Sequence, residues 1–126
     1  MTMQSEHGEI DPYLLQFLRD KVNSFIKWDL VRFFHDNPYA VDSADHIARY
    51  IMRDPRTTER ELDGLAESAV LNVDEIANVR VYRLTQDETT RDLIGQFVSA
   101  CDDREFRVRA INEVINGKRF SPRHDF

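Results

Sequence analysis

Cysteine, glycine and long hydrophobic runs are scarce in this chain of 126 residues. Its single cysteine, Cys101, cannot form an internal disulfide, and the neighbouring Asp102 and Asp103 disfavour the thiolate of a redox sensor, so we expect a buried thiol. The four glycines stand apart from one another, which excludes a glycine-rich phosphate loop. No apolar stretch approaches the roughly 20 residues that span a bilayer, so we expect no membrane segment.

No spacing of side chains in the sequence suggests catalysis or metal binding. The four histidines are scattered, and none forms a ligand pair with another one turn away on a helix; they are His7, His35, His46 and His124. We therefore expect a protein that is not an enzyme and that needs neither a cofactor nor a metal.

Length and composition favour one globular domain. Hydrophobic residues make up 41% and charged residues 32% of the chain, and the net charge is −6. The first nine residues lack the basic start and apolar stretch of a secretory signal, so we expect a cytoplasmic protein. The predicted organisation is a flexible tail over residues 1–10, a single domain over residues 11–116 and a flexible tail over residues 117–126.

The first helical pattern opens at Asp11-Pro12 and continues to Asn37-Pro38. It predicts either one long helix or two helices with a break near residues 19–23. Four large rings crowd its second half and predict a core stripe, with a ligand pocket or packing against a second copy as alternatives; they are Phe25, Trp28, Phe33 and Phe34.

The middle of the chain predicts helix, tight turn and helix. A short amphipathic helix over residues 43–52 has Asp42 or Ser43 as its cap, and a second helix begins at Asp54-Pro55 and runs to about Leu71. Its predicted buried face comprises Leu62, Leu65, Ala66, Ala69 and Val70. Its predicted outer face comprises Arg56, Thr57, Arg60, Glu61 and Gly64.

The second half of the chain predicts a ribbon followed by two more helices. Residues 72–78 are polar and turn-like, and residues 79–84 alternate like a half-exposed strand, so a small hairpin fits there. Helices follow over residues 89–100 and 106–115, the last one closed by Asn116-Gly117.

This order of elements resembles the winged-helix proteins of bacterial transcription regulators, and in outline it is similar to the MarR and PadR groups. The residues that carry the likeness are Asp54-Pro55, the run from Leu62 to Leu71 and the ribbon end Val81-Tyr82-Arg83-Leu84. In that family a glycine often stands at the position of Ala69. With the flanking helices the likeness covers roughly residues 22–116. It implies a mainly α fold with a small β-hairpin, a winged helix-turn-helix with extra N-terminal and C-terminal helices.

The resemblance implies a DNA-binding transcription regulator, with double-stranded DNA as its partner. The candidate DNA-binding residues are Arg53, Arg56, Thr57, Arg60, Arg80 and Arg83. Charge argues the other way, because residues 43–83 carry six basic and eight acidic residues, and Asp74-Glu75 occupy the expected wing tip. The arginines alternatively form a solvated face with surface ion pairs.

Two readings of function therefore remain open. The first is a regulator that binds DNA as a homodimer, since the terminal helices carry more apolar surface than a minimal winged helix needs. The second is a winged-helix module that binds a protein partner and not DNA, through an exposed apolar patch along Phe25 to Phe34. DNA binding requires the arginines to converge on one surface.

Overall fold

The computed structural model describes residues 11–119, which form six helices and three strands. In chain order these are α1 (Pro12–Lys21), α2 (Phe25–Asp36), β1 (Asp42–Ser43), α3 (Ala44–Ile51), α4 (Pro55–Glu67), β2 (Leu71–Ile76), β3 (Val79–Leu84), α5 (Glu88–Ala100) and α6 (Arg104–Arg119). The N-terminal tail predicted for residues 1–10 and residues 120–126 of the predicted C-terminal tail lie outside the described residues. The fold is mainly helical, with one small antiparallel sheet.

Local capping divides the N-terminal pattern into two helices. Asp11 accepts a hydrogen bond from the Tyr13 N–H at 2.9 Å, and Pro12 takes the first helical position of α1. The hydroxyl of Ser24 accepts from the Lys27 N–H at 3.0 Å and starts α2, an arrangement worth about 1 kcal/mol. Of the two alternatives that the sequence left open, one long helix or two, the structure has two helices, and the break lies at residues 22–24.

The core receives buried side chains from all six helices and extends under the sheet. Phe34 is fully buried, and the Trp28 ring meets Phe97 edge to face at 5.3 Å between centroids. Three rings of this α2 stripe, Trp28, Phe33 and Phe34, thus lie in the core or pack against it, as predicted. The prediction of an exposed apolar patch along Phe25 to Phe34 is wrong, because only Phe25 is exposed among the four aromatic rings of this segment.

The sheet has the order β1-β3-β2, and both pairings are antiparallel. The hairpin predicted around residues 79–84 is present, and β1 adds a third strand that pairs Asp42 with Tyr82. Residues 72–76 belong to β2 and are not a turn. The turn is confined to Ala77 and Asn78, whose φ values of 53° and 69° suit a two-residue hairpin.

The C-terminal ends that the sequence predicted for α4 and α6 are both wrong. The second predicted helix stops at Glu67 and not near Leu71, because Ala69 adopts a left-handed conformation with φ 68° and lets the Val70 N–H donate to the Leu65 carbonyl at 2.9 Å. In α6, Gly117 does not have a positive φ, so the helix continues to Arg119 and the predicted tail does not begin at residue 117. None of the helices within residues 11–119 is long and apolar enough to cross a membrane.

Candidate nucleic-acid interface

The link between α3 and α4 is a tight turn built on a left-handed residue. Met52 has φ 60° and ψ 51°, and beyond it the Arg53 N–H donates to the Ala48 carbonyl at 3.0 Å. A positive φ is unfavourable for a side chain with a Cβ, yet Met52 closes α3 there and lies 87% exposed. Only three residues, 52–54, separate the end of α3 from Pro55, which starts the next helix.

A carboxylate fixes the start of α4. Asp54 accepts from both the N–H and the hydroxyl of Thr57, each at 2.9 Å. These two bonds, the backbone one foremost, hold the pKa of Asp54 below its usual value. Thr57 therefore serves the helix cap, and its hydroxyl is already engaged within the protein.

The buried side of α4 consists of Thr58, Leu62 and Leu65, which are all almost fully buried. Two residues predicted for its outer face lie towards α2 instead. Glu61 accepts from the Ser24 hydroxyl at 2.7 Å, and a Cβ on Gly64 would lie 2.9 Å from Lys27 Cε. The outer face is consequently narrower than predicted.

Three of the five candidate arginines form ion pairs with carboxylates. Arg53 donates to Asp29 Oδ2 from Nη2 at 2.7 Å and from Nε at 3.1 Å. Two further pairs join Arg80 Nη2 to Asp63 Oδ1 at 2.7 Å and Arg83 Nε to Asp74 Oδ2 at 3.1 Å. Each pair is partly exposed to solvent and cancels one positive charge at the surface.

Arg80 and Arg83 do not share a surface. They are three residues apart on β3, so their side chains leave opposite faces of the strand. Arg80 reaches α4 and donates to Asp63, whereas Arg83 pairs with a residue on the neighbouring strand β2. The convergence of arginines that the DNA-binding hypothesis requires therefore fails for this pair.

Arg56 and Arg60 are different. They are exposed, and they lie one helical turn apart on the N-terminal half of α4. Neither forms an ion pair with any residue between 11 and 119. They are the predicted site residues that retain their full charge towards solvent.

The tip of the β2-β3 hairpin is acidic and apolar. Asp74 and Glu75 are exposed at the end of β2, and the cross-strand pair Ile76 and Val79 is 58% and 48% exposed. A tip that enters a DNA minor groove normally carries arginine or lysine. This tip offers instead a small hydrophobic contact next to negative charge.

The acidic partners of the arginines were missed by the sequence reasoning. Asp29 lies 24 residues from Arg53 and Asp63 lies 17 residues from Arg80, and no local spacing connects either pair. The Asp74–Arg83 pair had a detectable signal, because two strands of a hairpin bring such residues within reach as diagonal neighbours. The pair was not predicted because the polar residues 72–78 indicated a turn, whereas residues 72–76 belong to β2.

Comparison with known proteins finds a likeness at the level of structure. No protein-family model matches the chain, and no curated protein matches it either. Among solved structures, a protein described as "Possible transcriptional regulator from Methanosarcina mazei Go1" matches with a TM-score of 0.51 and 16% sequence identity, over 74% of this chain and 81% of that one. At this identity the likeness shows the fold. The mainly helical chain with its small antiparallel sheet is compatible with a winged-helix fold.

Proposed function

We propose that this chain is a winged helix-turn-helix transcription regulator of the cytoplasm, without catalytic activity, that binds duplex DNA through the N-terminal half of α4. In this proposal α4 is the recognition helix and the β2-β3 hairpin is the wing. The observation that carries it is the exposed position of Arg56 and Arg60 one turn apart, without an ion pair among the described residues. The fold likeness to a possible transcriptional regulator supports it.

The small number of free positive charges limits the affinity of this interface for DNA. Neutralising phosphates supplies most non-specific affinity for DNA, and two arginines neutralise few of them. The arginines that form ion pairs can also bind phosphates. A partly exposed ion pair contributes only about 0–1 kcal/mol, so exchanging its carboxylate for a phosphate costs little free energy. Of these ion-paired arginines, Arg53 is nearest in sequence to the start of α4. A dimer doubles the number of contacts, so we propose that the chain binds DNA as a homodimer.

The test uses the purified full chain and a pool of random-sequence duplexes at low salt, with selection followed by a salt titration. We expect enrichment of a palindromic site. Replacing Arg56 and Arg60 together by Ala removes four arginines from a bound homodimer, so it should weaken binding at least tenfold and lower the salt slope by about four.

A matched control removes the same charge elsewhere. Arg32 and Arg104 are exposed and make no hydrogen bond or ion pair with residues 11–119, so their double replacement by Ala should leave DNA binding within about twofold. No retention of any duplex by the wild-type chain at low salt would refute DNA binding. An equal loss in the control would refute the assignment to α4.

The hairpin tip favours a second candidate function, a module that binds a protein partner and not DNA. Its basis is the exposed pair Ile76 and Val79 beside Asp74 and Glu75. Small apolar contacts within a polar rim are common at transient protein interfaces. If DNA is not retained, replacing Ile76 and Val79 by Ser should abolish capture of a partner that the wild-type chain holds, while the Arg56 and Arg60 variant should capture it normally.

A further inference from the structure

A groove of about 460 Å³ separates α1 from α5, away from the proposed DNA-binding helix face. Its floor is apolar: Phe17 is buried and meets Phe97 edge to face at 6.2 Å between centroids, and Leu93 lies beside it half-buried. Tyr13 stands at the mouth with 76% of its surface exposed. The volume falls in the range of small-molecule sites, and the groove offers an aromatic ring that the core does not use.

The rim of the groove is negatively charged. Asp20 lies on the α1 side and Asp92 on the α5 side. Both oxygens of Asp20 accept from the neutral Gln16 amide, at 2.9 and 3.0 Å, so its charge is not cancelled. Asp92 forms no ion pair with residues 11–119.

The one cation of the groove lining is directed elsewhere. Lys21 donates from Nζ to the Ser68 carbonyl oxygen at 2.8 Å, which is the carbonyl immediately after α4. This bond to a neutral carbonyl leaves the charge of Lys21 in place, but the two carboxylates outnumber it and make the groove lining net negative, which favours a positively charged occupant.

We propose that the groove between α1 and α5 binds an organic cation with an aromatic body, its ammonium between Asp20 and Asp92 and its ring against Tyr13 and Phe17. The charge of the rim selects the cation, and the apolar floor selects the ring. The exposed Tyr13 face adds a cation–π attraction that strengthens when an occupant excludes water.

Binding in the groove reaches the end of α4 through Lys21. Since this side chain lines the groove and also holds the Ser68 carbonyl, a cation that repels or displaces it perturbs the corner at Ser68 and Ala69. An effect of this perturbation on DNA rests on the proposed function, whereas binding in the groove does not.

The test is a titration of the ¹⁵N-labelled full chain, without DNA, followed by amide chemical shifts. The probe is 2-naphthylmethylamine, which is protonated at neutral pH, and 2-naphthylmethanol and 2-naphthoate supply the same ring without charge and with a negative charge. We expect shifts centred on the α1 and α5 residues of the groove, a smaller shift at Ser68 and Ala69, and affinity for the amine about fivefold or more above that for the alcohol.

Variants decide whether the rim is responsible. Asp92→Asn should lower affinity for the amine about fivefold and leave the alcohol unaffected, and Asp102→Asn, an exposed carboxylate outside the groove, should change neither. The proposed site would be overturned if the three probes bound equally or if the anion bound best. It would also be overturned if the chemical shifts were scattered over the surface, or if Asp92→Asn left the affinity for the amine unchanged. Shifts in the groove without any at Ser68 and Ala69 would overturn the coupling to α4. Because no DNA is present, none of these results depends on whether the chain binds DNA.

Discussion

Tyr82 donates its hydroxyl proton to Asp63 Oδ1 over 2.7 Å, and this bond ties the hairpin to α4. Arg80 Nη2 donates to the same oxygen at 2.7 Å, and its guanidinium lies 5.8 Å from the centre of the Tyr82 ring. Tyr82 is fully buried, and this burial raises the pKa of its hydroxyl. One partly exposed carboxylate thus satisfies a buried phenol and an exposed guanidinium together.

Replacing Asp63 should destabilise the protein more than replacing the tyrosine hydroxyl it holds. Asp63→Ala leaves the buried hydroxyl proton without an acceptor, although Arg80 Nε still donates to the hydroxyl oxygen at 3.4 Å, and it should lower the free energy of unfolding by about 1–3 kcal/mol. Tyr82→Phe removes the buried hydroxyl itself and should cost about 1 kcal/mol or less. Urea unfolding followed by circular dichroism measures both. Asp74→Ala, which breaks a partly exposed pair, is the control, and an Asp63→Ala variant no less stable than this control would contradict the argument.

The corner after α4 is strained by the residue that occupies it. Ala69 is exposed and has φ 68°, a conformation that costs a residue with a Cβ about 1–2 kcal/mol. Ala69→Gly should therefore raise the free energy of unfolding by about 0.5–1 kcal/mol, after the greater freedom of glycine in the unfolded chain is subtracted. Ala66→Gly, inside α4, should lower it by about 1 kcal/mol. Loss of stability in both variants would show that Ala69 is not strained.

The sequence allowed the helix starts to be predicted because their signals are local. Asp11-Pro12 and Asp54-Pro55 each place a capping carboxylate one residue before a proline, and both caps are present in the structure. The corners were harder to locate. Met52, Ala69 and Ala77 adopt positive φ values, yet none of them is glycine or asparagine, so the usual sequence marker of a left-handed turn is missing at each.

The candidate site was less predictable than the fold because its charge depends on distant partners. The spacing of Arg56 and Arg60 correctly indicated an exposed face, since helical geometry alone decides it. The neutralisation of Arg53 by Asp29 depends on how α2 packs beside the turn, and no periodicity encodes that. The polar residues of β2 concealed the strand because its outer half is exposed to solvent.

A buried hydroxyl on α4 lacks a partner. Thr58 is fully buried, and its Oγ1 makes no hydrogen bond with the described residues. Thr58→Val keeps the shape and removes the unpaired group, so the free energy of unfolding should rise by about 1 kcal/mol. Thr57→Val is the matched comparison, because it removes a hydroxyl that donates to Asp54, and it should be destabilising. Thermal unfolding measures the stability of both variants. If both were stabilised, or both destabilised, the inferred difference between the environments of the two hydroxyls would be contradicted.

Two helix caps should make stability sensitive to acid. The pKa of Asp54 is lowered by the Thr57 N–H and hydroxyl, and the pKa of Asp87 is lowered by the hydroxyl and N–H of Thr90. Because both values are lower in the folded chain than in the unfolded one, their stabilisation is complete above the ordinary carboxyl pKa and is lost as the pH falls through the folded values. The Asp54→Asn and Asp87→Asn double variant retains acceptor oxygens without titrating.

The urea midpoint of this double variant should decline less steeply with acid than that of the wild-type chain, measured from about pH 7 to about pH 2. The control is Asp102→Asn, whose exposed carboxylate accepts no hydrogen bond from residues 11–119 and should leave the slope unchanged. Identical slopes for the wild-type chain and the double variant would show that other groups govern acid unfolding.

The outer face of α6 should decide assembly. Its opposite side is buried through Ala110 and Val114, whereas an apolar row at spacings of three and four remains exposed by 48%, 36% and 40%; the row is Val108, Ile111 and Ile115. Covering such a row against a second copy removes apolar surface from water, so light scattering at micromolar concentration should give twice the chain mass. Ile111→Glu with Ile115→Glu should give a monomer with unchanged circular dichroism, because burying these charges in an interface is costly and exposing them is not. Ile76→Glu with Val79→Glu at the hairpin tip is the control and should remain dimeric, while a wild-type monomer at this concentration would exclude the homodimer.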